Sequence, residues 1–288
     1  MNAKPRVSAA LRQPFRLLKR RAPADRGGPA NGRWPVFASY AEALRSCQGL
    51  GYGEERLTEV VFKKTLNQRD HLQSAPPVSN LSSTLTLFAL GLALRSPGPI
   101  RVLDFGGACG NHYFQMRHLF PNARVTFRWH VVETPPMVRR AVELENAELK
   151  FFDSLSKAAA EIGRIDVLLA SGVLQCVPDP YQCLEDLLAC GGRYLVLARL
   201  GCTRKTEPLI IVHETRLSDN GPGPMPAGLA EGTCRFPYTF PSYTLVESLL
   251  ISRYNILLQT QDNTGWFQVN DEPLMGAAYV AERRSDAP

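Results

Sequence analysis

The sequence predicts an α/β fold: a doubly wound, mostly parallel, seven-stranded sheet with an N-terminal helical extension. Three observations carry that prediction. From Ile100 onward, short continuous apolar runs alternate with stretches of helical periodicity, as expected of parallel strands covered on both faces. The first of these runs passes into an acid and then a glycine-rich turn, Asp104-Phe105-Gly106-Gly107-Ala108-Cys109-Gly110, that opens a helix. Acidic or small residues then recur where the following strands end.

The elements follow in order. Residues 22–35 are rich in proline and glycine and read as a linker. Ser39 can cap a helix, with Glu42 three positions on completing a capping box. Glu54 to Leu72 and Asn80 to Leu94 make two further helices, and Ser96-Pro97-Gly98-Pro99 ends the helical region. Strands are expected at 100–105, 128–133, 149–152, 165–170 and 193–199. Helices are expected near 110–119, 135–146, 154–162 and 180–190. Beyond them come a strand at 209–213, a loop rich in proline and glycine at 218–241, a helix at 242–252, and strands at 254–260 and 277–282. The implied organisation is a basic tail and linker over 1–35 and a helical cap region over 36–97. The catalytic-type α/β domain then spans 98–288, with an insertion at about 202–241.

Charge and cysteine usage narrow the function classes. The net charge of +6 is concentrated in the first 33 residues, where nine bases face one acid, whereas the remaining 255 residues hold 24 bases and 26 acids. The folded body is nearly neutral, so no basic groove for nucleic acid is expected. The tail reads as a solvated segment, with weak membrane-surface contact through Val7, Leu11, Phe15 and Leu18 as the other reading. The seven cysteines contain no C-x-x-C pair, so neither a metal cluster nor a disulfide framework is expected. They read as small buried apolar residues of a cytoplasmic protein. No apolar run reaches the length of a membrane span.

The sharpest signal is the turn after the first strand. Small residues there let the backbone approach a ligand closely, and a helix N-terminus offers free N–H donors. Glu133 closes the second strand, 23 residues after Gly110, where an acid can accept both hydroxyls of a ribose. Asp153 follows the third strand, where it could accept an adenine amino group. Ser171, Gly172 and Gln175 form a loop after the fourth strand, beneath the expected cofactor. Ligands bind open α/β sheets at these carboxyl ends.

On these residues the chain resembles class I methyltransferases, whose Rossmann-like domains bind S-adenosylmethionine. Their first motif, D-x-G-x-G-x-G, is matched by Asp104, Gly106 and Gly110, with Ala108 in place of the middle glycine. The resemblance implies that Gly106 and Gly110, with Phe105 and Gly107 on either side of Gly106, shape the methionine pocket, that Glu133 holds the ribose, and that Phe152 and Asp153 frame adenine. A closer similarity, over roughly residues 34 to 260, is to a largely uncharacterised bacterial methyltransferase family associated with polysaccharide biosynthesis. It is carried by Ser39-Tyr40-Ala41-Glu42-Ala43, Gly51-Tyr52-Gly53, Trp129-His130-Val131-Val132-Glu133, Asp179-Pro180 and Phe240-Pro241-Ser242-Tyr243. It implies O-methylation of a saccharide or related small-molecule acceptor.

Methyl transfer to an alcohol needs a general base beside the acceptor. His112, next to the glycine turn, and His213, at the end of an apolar strand leading into the insertion, are the two candidates. Arg204, Lys205 and Arg216 could meet an anionic group on the acceptor, though charges in a solvated loop are the plainer reading. The helices before residue 94 could form a lid, a packing layer or a face for homo-oligomer formation. Two other functions share the same fold. One is a catalytically silent S-adenosylmethionine-binding protein. The other is an NAD(P)-dependent oxidoreductase or epimerase, disfavoured because neither G-x-G-x-x-G nor Tyr-x-x-x-Lys occurs: Tyr52, Tyr113 and Tyr279 each have Arg four positions on.

Overall fold

The structure, a computed structural model, describes residues 33–47, 51–77, 80–121, 125–261 and 268–285. The basic N-terminal segment up to residue 32, on which the solvated-tail and membrane-surface readings fall, lies outside them. Three helices come first: α1 (Tyr40–Ser46), α2 (Glu55–His71) and α3 (Leu81–Ala93). The starts of α1 and α3 are set by side chains that satisfy free backbone N–H groups. Ser39 Oγ accepts from the Glu42 amide at 3.2 Å, Glu42 returns a carboxylate oxygen to the Ala38 amide at 3.0 Å, and Asn80 Oδ1 accepts from the Ser83 amide at 2.9 Å.

The alternation then unfolds as β1 (Ile100–Phe105), α4 (Asn111–Leu119), β2 (Phe127–Val132), α5 (Pro135–Ala141), β3 (Leu149–Phe152), α6 (Leu155–Ile162), β4 (Val167–Ser171), α7 (Pro180–Ala189) and β5 (Tyr194–Cys202). A hairpin of β6 (Leu209–Arg216) and β7 (Thr233–Phe240) follows, then α8 (Tyr243–Arg253) and β8 (Tyr254–Gln261). The short β9 (Gln268–Val269) and β10 (Glu272–Pro273) precede β11 (Met275–Arg283). The central sheet runs β3-β2-β1-β4-β5-β11-β8, parallel through β5 and antiparallel where β11 meets both its neighbours. The order reverses between β1 and β4, so a crevice opens above their carboxyl ends.

Both faces of the sheet are covered, which is why its strands are apolar at nearly every position. Along β4, Val167 and Leu169 face the layer formed by α2, α3, α4 and α5, whereas Leu168 and Ala170 face α6, α7 and α8. The first layer includes two of the three N-terminal helices, and α3 packs directly on β4 and β5. Part of that region is thus a packing layer on the sheet.

The segment expected as one loop at 218–241 is corrected by the structure. It contains β7, paired antiparallel with β6 from Leu209↔Phe240 to Arg216↔Thr233. Pro237 inside the run argues against a strand, but β6 and β7 form a two-stranded sheet in which both strands are edges, and an edge tolerates a residue without an N–H. The hairpin stands over the crevice and is tied to α2. Lys64, 1% exposed, donates its ammonium to the carbonyls of Ser218 at 2.8 Å and Asn220 at 2.7 Å, and Arg56 donates to those of Ala230 and Glu231. Burial pushes the Lys64 ammonium below its ordinary pKa, with Asp219 and Glu231 opposing the shift.

Replacing Lys64 by methionine keeps the stem and leaves two carbonyls without their donor. At about 1–3 kcal/mol per unsatisfied buried group, the variant is expected to lose roughly 2–4 kcal/mol. Urea unfolding followed by circular dichroism measures the loss; an unchanged midpoint would show that this tie holds nothing.

Candidate active site

The crevice above the switch point is a cleft of about 1610 Å³. Ligand pockets commonly span about 300–1,000 Å³, so this one has room for two small molecules side by side. Its floor is the turn after β1, its flank the ends of β2 and β3, and its roof α2 with the β6–β7 hairpin.

Asp104 organises the floor. Its carboxylate is fully buried, and Oδ2 takes the indole N–H of Trp129 at 3.2 Å and lies 3.3 Å from His112 Nδ1. The turn wraps tightly over it: a Cβ on Gly107 would stand 2.5 Å from the carboxylate. Gly106 has φ +72, and a Cβ there would strike Val173 at 2.5 Å. Gly110 starts α4 at φ +79. Ala108 occupies the same left-handed region at φ +50, where a side chain is disfavoured. That conformation accounts for the glycine that the resembling motif carries at this position.

Glu133 stands beside the turn. Oε1 accepts from the Ala108 amide at 3.0 Å and Oε2 from the Thr134 amide at 2.8 Å, so each oxygen keeps a further lone pair. Burial pushes its carboxyl above the ordinary carboxylate range, and the two amides only partly offset that. Two more residues lining the cleft, Asn111 and Thr134, have a buried side-chain oxygen without a hydrogen-bond partner among the described residues.

The structure divides the expected site residues into two groups. Phe105, Gly106, Gly107, Glu133, Asp153, Ser171, Gly172, His112 and His213 line the cleft, whereas Asp104, Gly110, Phe152 and Gln175 sit behind its surface. Phe152 packs on the His130 ring at 4.7 Å, and Asp153 is paired with Lys157 at 3.0 Å. The two histidines come from opposite sides. His112 rises from the floor, held between Asp104 and the Ser82 hydroxyl, 3.3 Å from Nε2. His213 hangs from the hairpin against Tyr238 and Phe236, at ring distances of 5.0 and 5.5 Å. Of the basic residues suggested for an anionic group, Arg216 lines the cleft but is paired with Asp219, and Lys205 is paired with Glu272 away from it.

Sequence reasoning missed Ser82 and Arg199. Ser82 lies in the first turn of α3, and its hydroxyl is 2.8 Å from that of Ser171. Arg199 lies near the end of β5 with φ +51, and its Nε–H donates to Ser171 Oγ at 3.0 Å. The only sequence signal for Arg199 is a lone charge inside the apolar run Leu195-Val196-Leu197-Ala198-Arg199-Leu200. Nothing in the local pattern marks Ser82.

All seven cysteines are free thiols. Burial raises each of them, Cys109, Cys176, Cys183 and Cys202 to about 12, so none is a ready thiolate nucleophile. Among the described residues no cluster of side chains could hold a metal ion, and no helix is long and apolar enough to cross a membrane.

No family model matches the chain, and neither does any curated protein. Among solved structures it is similar to the N-terminal domain of EvdMO1 with SAH bound, at 16% identity and a TM-score of 0.44, over 77% of this chain and 97% of that one. It is also similar to an S-adenosylmethionine-dependent methyltransferase from Clostridium acetobutylicum ATCC 824, at 12% identity and 0.43, over 77% and 98%. A third is the [4+2]-cyclase SpnF, at 12% identity and 0.44, over 82% and 97%. Likeness of this extent carries no chemistry, which the residues themselves must supply.

The turn makes opposite demands at neighbouring positions. Ala108→Gly relieves a left-handed side chain and is expected to stabilise the protein by about 1 kcal/mol, whereas Gly106→Ala adds both strain and a clash and should cost roughly 2 kcal/mol or more. Thermal unfolding of the two variants gives both signs; equal and small effects would mean that the turn is not held as described.

Proposed function

We propose that the cleft binds S-adenosylmethionine and that the protein is a methyltransferase acting on a hydroxyl of a small acceptor, with a saccharide as the acceptor class. The observation that carries this is the pairing of the Gly106-Gly107 turn with Glu133 at the end of the adjacent strand. A glycine floor that no Cβ could share and a carboxylate with two free lone pairs suit a ligand that combines a slender chain with a ribose. The unpartnered oxygens of Asn111 and Thr134 add acceptors on the same wall. The cleft volume leaves space for the acceptor beneath the hairpin. The saccharide assignment rests on the resemblance alone, and the aromatic walls of the roof are compatible with it.

When bound, S-adenosylmethionine supplies a sulfonium methyl that an acceptor oxygen can take in line with its bond to sulfur. What the chain contributes is alignment, exclusion of water and a place for the acceptor's proton. His112 is the base we favour, because Asp104 orients its ring and can stabilise the imidazolium, the base-and-orienter arrangement of activated hydroxyls. An acceptor hydroxyl resting on Ser82 Oγ passes its proton to Ser82 as the Ser82 proton moves to His112 Nε2. His213, between Phe236 and Tyr238, forms part of the acceptor wall.

Calorimetry with S-adenosylhomocysteine tests the cofactor. Wild type is expected to bind it, and Glu133→Gln to bind at least tenfold more weakly. The pH dependence follows from the raised carboxyl. Only the ionised form accepts both ribose hydroxyls, so affinity is complete above the folded-state pKa and falls as pH drops through it, beginning above the ordinary glutamate range near pH ~4.3. Stability of the free protein has the opposite slope at this group: ionising a carboxyl whose folded pKa is raised lowers stability as pH rises. Affinity that is flat with pH while Glu133→Gln binds like wild type would remove the ribose assignment.

The base is tested separately. His112→Gln should lower kcat about 10²-fold or more without weakening cofactor binding, and His213→Gln should mainly raise the acceptor KM. The reverse pattern would exchange their roles.

A further inference from the structure

Arg199 lies in a cradle that joins β5 to the end of β4. Across β5 and β11, Leu197 faces Tyr279 and Leu200 faces Ala277, so Ala198 and Arg199 together oppose Ala278. That is a β-bulge, the device by which a strand re-aims one side chain. The bulge puts Arg199 at φ +51, a strained conformation for a residue with a side chain. The last residue of β4 and the turn after it then hold the arginine. Ser171 accepts Nε–H on its hydroxyl at 3.0 Å and an Nη2–H on its carbonyl at 2.9 Å. Gln175 Nε2 donates to the Arg199 carbonyl at 2.5 Å. Gly172 has no Cβ to obstruct the guanidinium, which a Cβ would meet at 2.9 Å. The three residues expected from sequence to lie under the cofactor therefore all support one arginine.

That arginine is a cation without an anion. Among the described residues it forms no ion pair, although it lines the cleft, where its neighbours Tyr52, Tyr238 and Cys176 are neutral groups held that way by burial. Tyr52 and Phe236 are 4.3 Å apart and Tyr238 adjoins them, an aromatic cluster on the cleft wall whose two hydroxyls lie close enough to Arg199 to feel its charge. Strain kept in a site, an immobilised fork of donors and a missing counter-charge together describe half of an ion pair.

We propose that Arg199 is the specificity-determining residue of the acceptor subsite, and that the acceptor carries a carboxylate next to a ring whose apolar face rests on Tyr52, Phe236 and Tyr238. The proposal rests on the reading of the cleft as a methyl-transfer site, and it names the substrate class of that site. A uronic acid and an aromatic acid share this chemistry.

The test is calorimetry on the full chain, saturated with S-adenosylhomocysteine, using two matched pairs: D-glucuronate against D-glucose, and 4-hydroxybenzoate against 4-hydroxybenzamide. In at least one pair the carboxylate is expected to bind at least tenfold more tightly than its neutral counterpart, and the pair that discriminates identifies the ring. Arg199→Asn removes the charge and suits the left-handed backbone; it should abolish that preference and leave S-adenosylhomocysteine affinity within twofold. Arg199→Lys, which keeps charge without the fork, should retain part of it, and thermal unfolding verifies that both variants fold. Absence of carboxylate preference in both pairs overturns the proposal. So does a tenfold loss of S-adenosylhomocysteine affinity in Arg199→Asn, which would assign the guanidinium to the cofactor's own carboxylate. If wild type fails to bind S-adenosylhomocysteine, the cofactor reading fails by itself, and the same pairs measured on the free protein still decide the role of Arg199.

Discussion

Burial of the Asp104 carboxylate is the constraint on which the rest of the site depends. A charge at zero exposure calls for donors, and the fold brings two to Oδ2 from neighbouring elements, Trp129 from β2 and His112 from α4, while Oδ1 has no hydrogen-bond partner among the described residues. Meeting that demand fixes the direction of the indole within the core and the orientation of the imidazole at the cleft. It also forbids any side chain at Gly107, so the backbone lies flat over the acid and forms the cleft floor. One buried charge thus sets a core contact, a loop conformation and the pose of the proposed base.

Much of this half of the site was legible in the sequence because its determinants are local. Asp104, Gly106, Gly107 and Gly110 fall within seven residues, and Glu133 ends the next strand at a spacing that a strand–helix–strand unit dictates. The same logic made the parallel strands readable, since continuous apolar runs such as Val167 to Ala170 occur where helices cover both faces. Legibility ended where a residue's role depends on partners far away in the chain. Ser82 precedes Ser171 by 89 positions, and nothing in a helix start reveals a hydroxyl 2.8 Å away. The bulge at Arg199 depends on the register between β5 and β11, which hydrophobic pattern does not specify at a single residue. Pro237 hid β7 because a proline is evidence against a strand unless the strand is known to be an edge.

The roof is fixed by two kinds of contact. Its backbone carbonyls accept from Lys64 and Arg56 of α2. Its apolar side chains Leu217, Cys234 and Phe236 are buried in the same core cluster as α2 to α5, while Ile211 and Phe240 form a smaller cluster with Val269. The polar ties set the register of the segment over α2, and the apolar contacts hold it down on the body.

The hydrogen bonds across the floor connect the two halves of the cleft. Arg199 can only donate and Asp104, as a carboxylate, can only accept, so with a neutral imidazole the arrangement that makes all four of these hydrogen bonds has one direction. Arg199 gives to Ser171, Ser171 to Ser82, Ser82 to His112, and His112 to Asp104. In that order His112 Nε2 is the atom without a proton, the state required of a base. An anion paired with Arg199 would sit at the donor end of this chain and the oriented imidazole near its other end, so acceptor binding and base orientation are joined through two serine hydroxyls. Interrupting the chain at Ser82 would therefore separate two properties that the intact site holds together: the anion could still bind, while the imidazole would lose the partner that defines which nitrogen is bare.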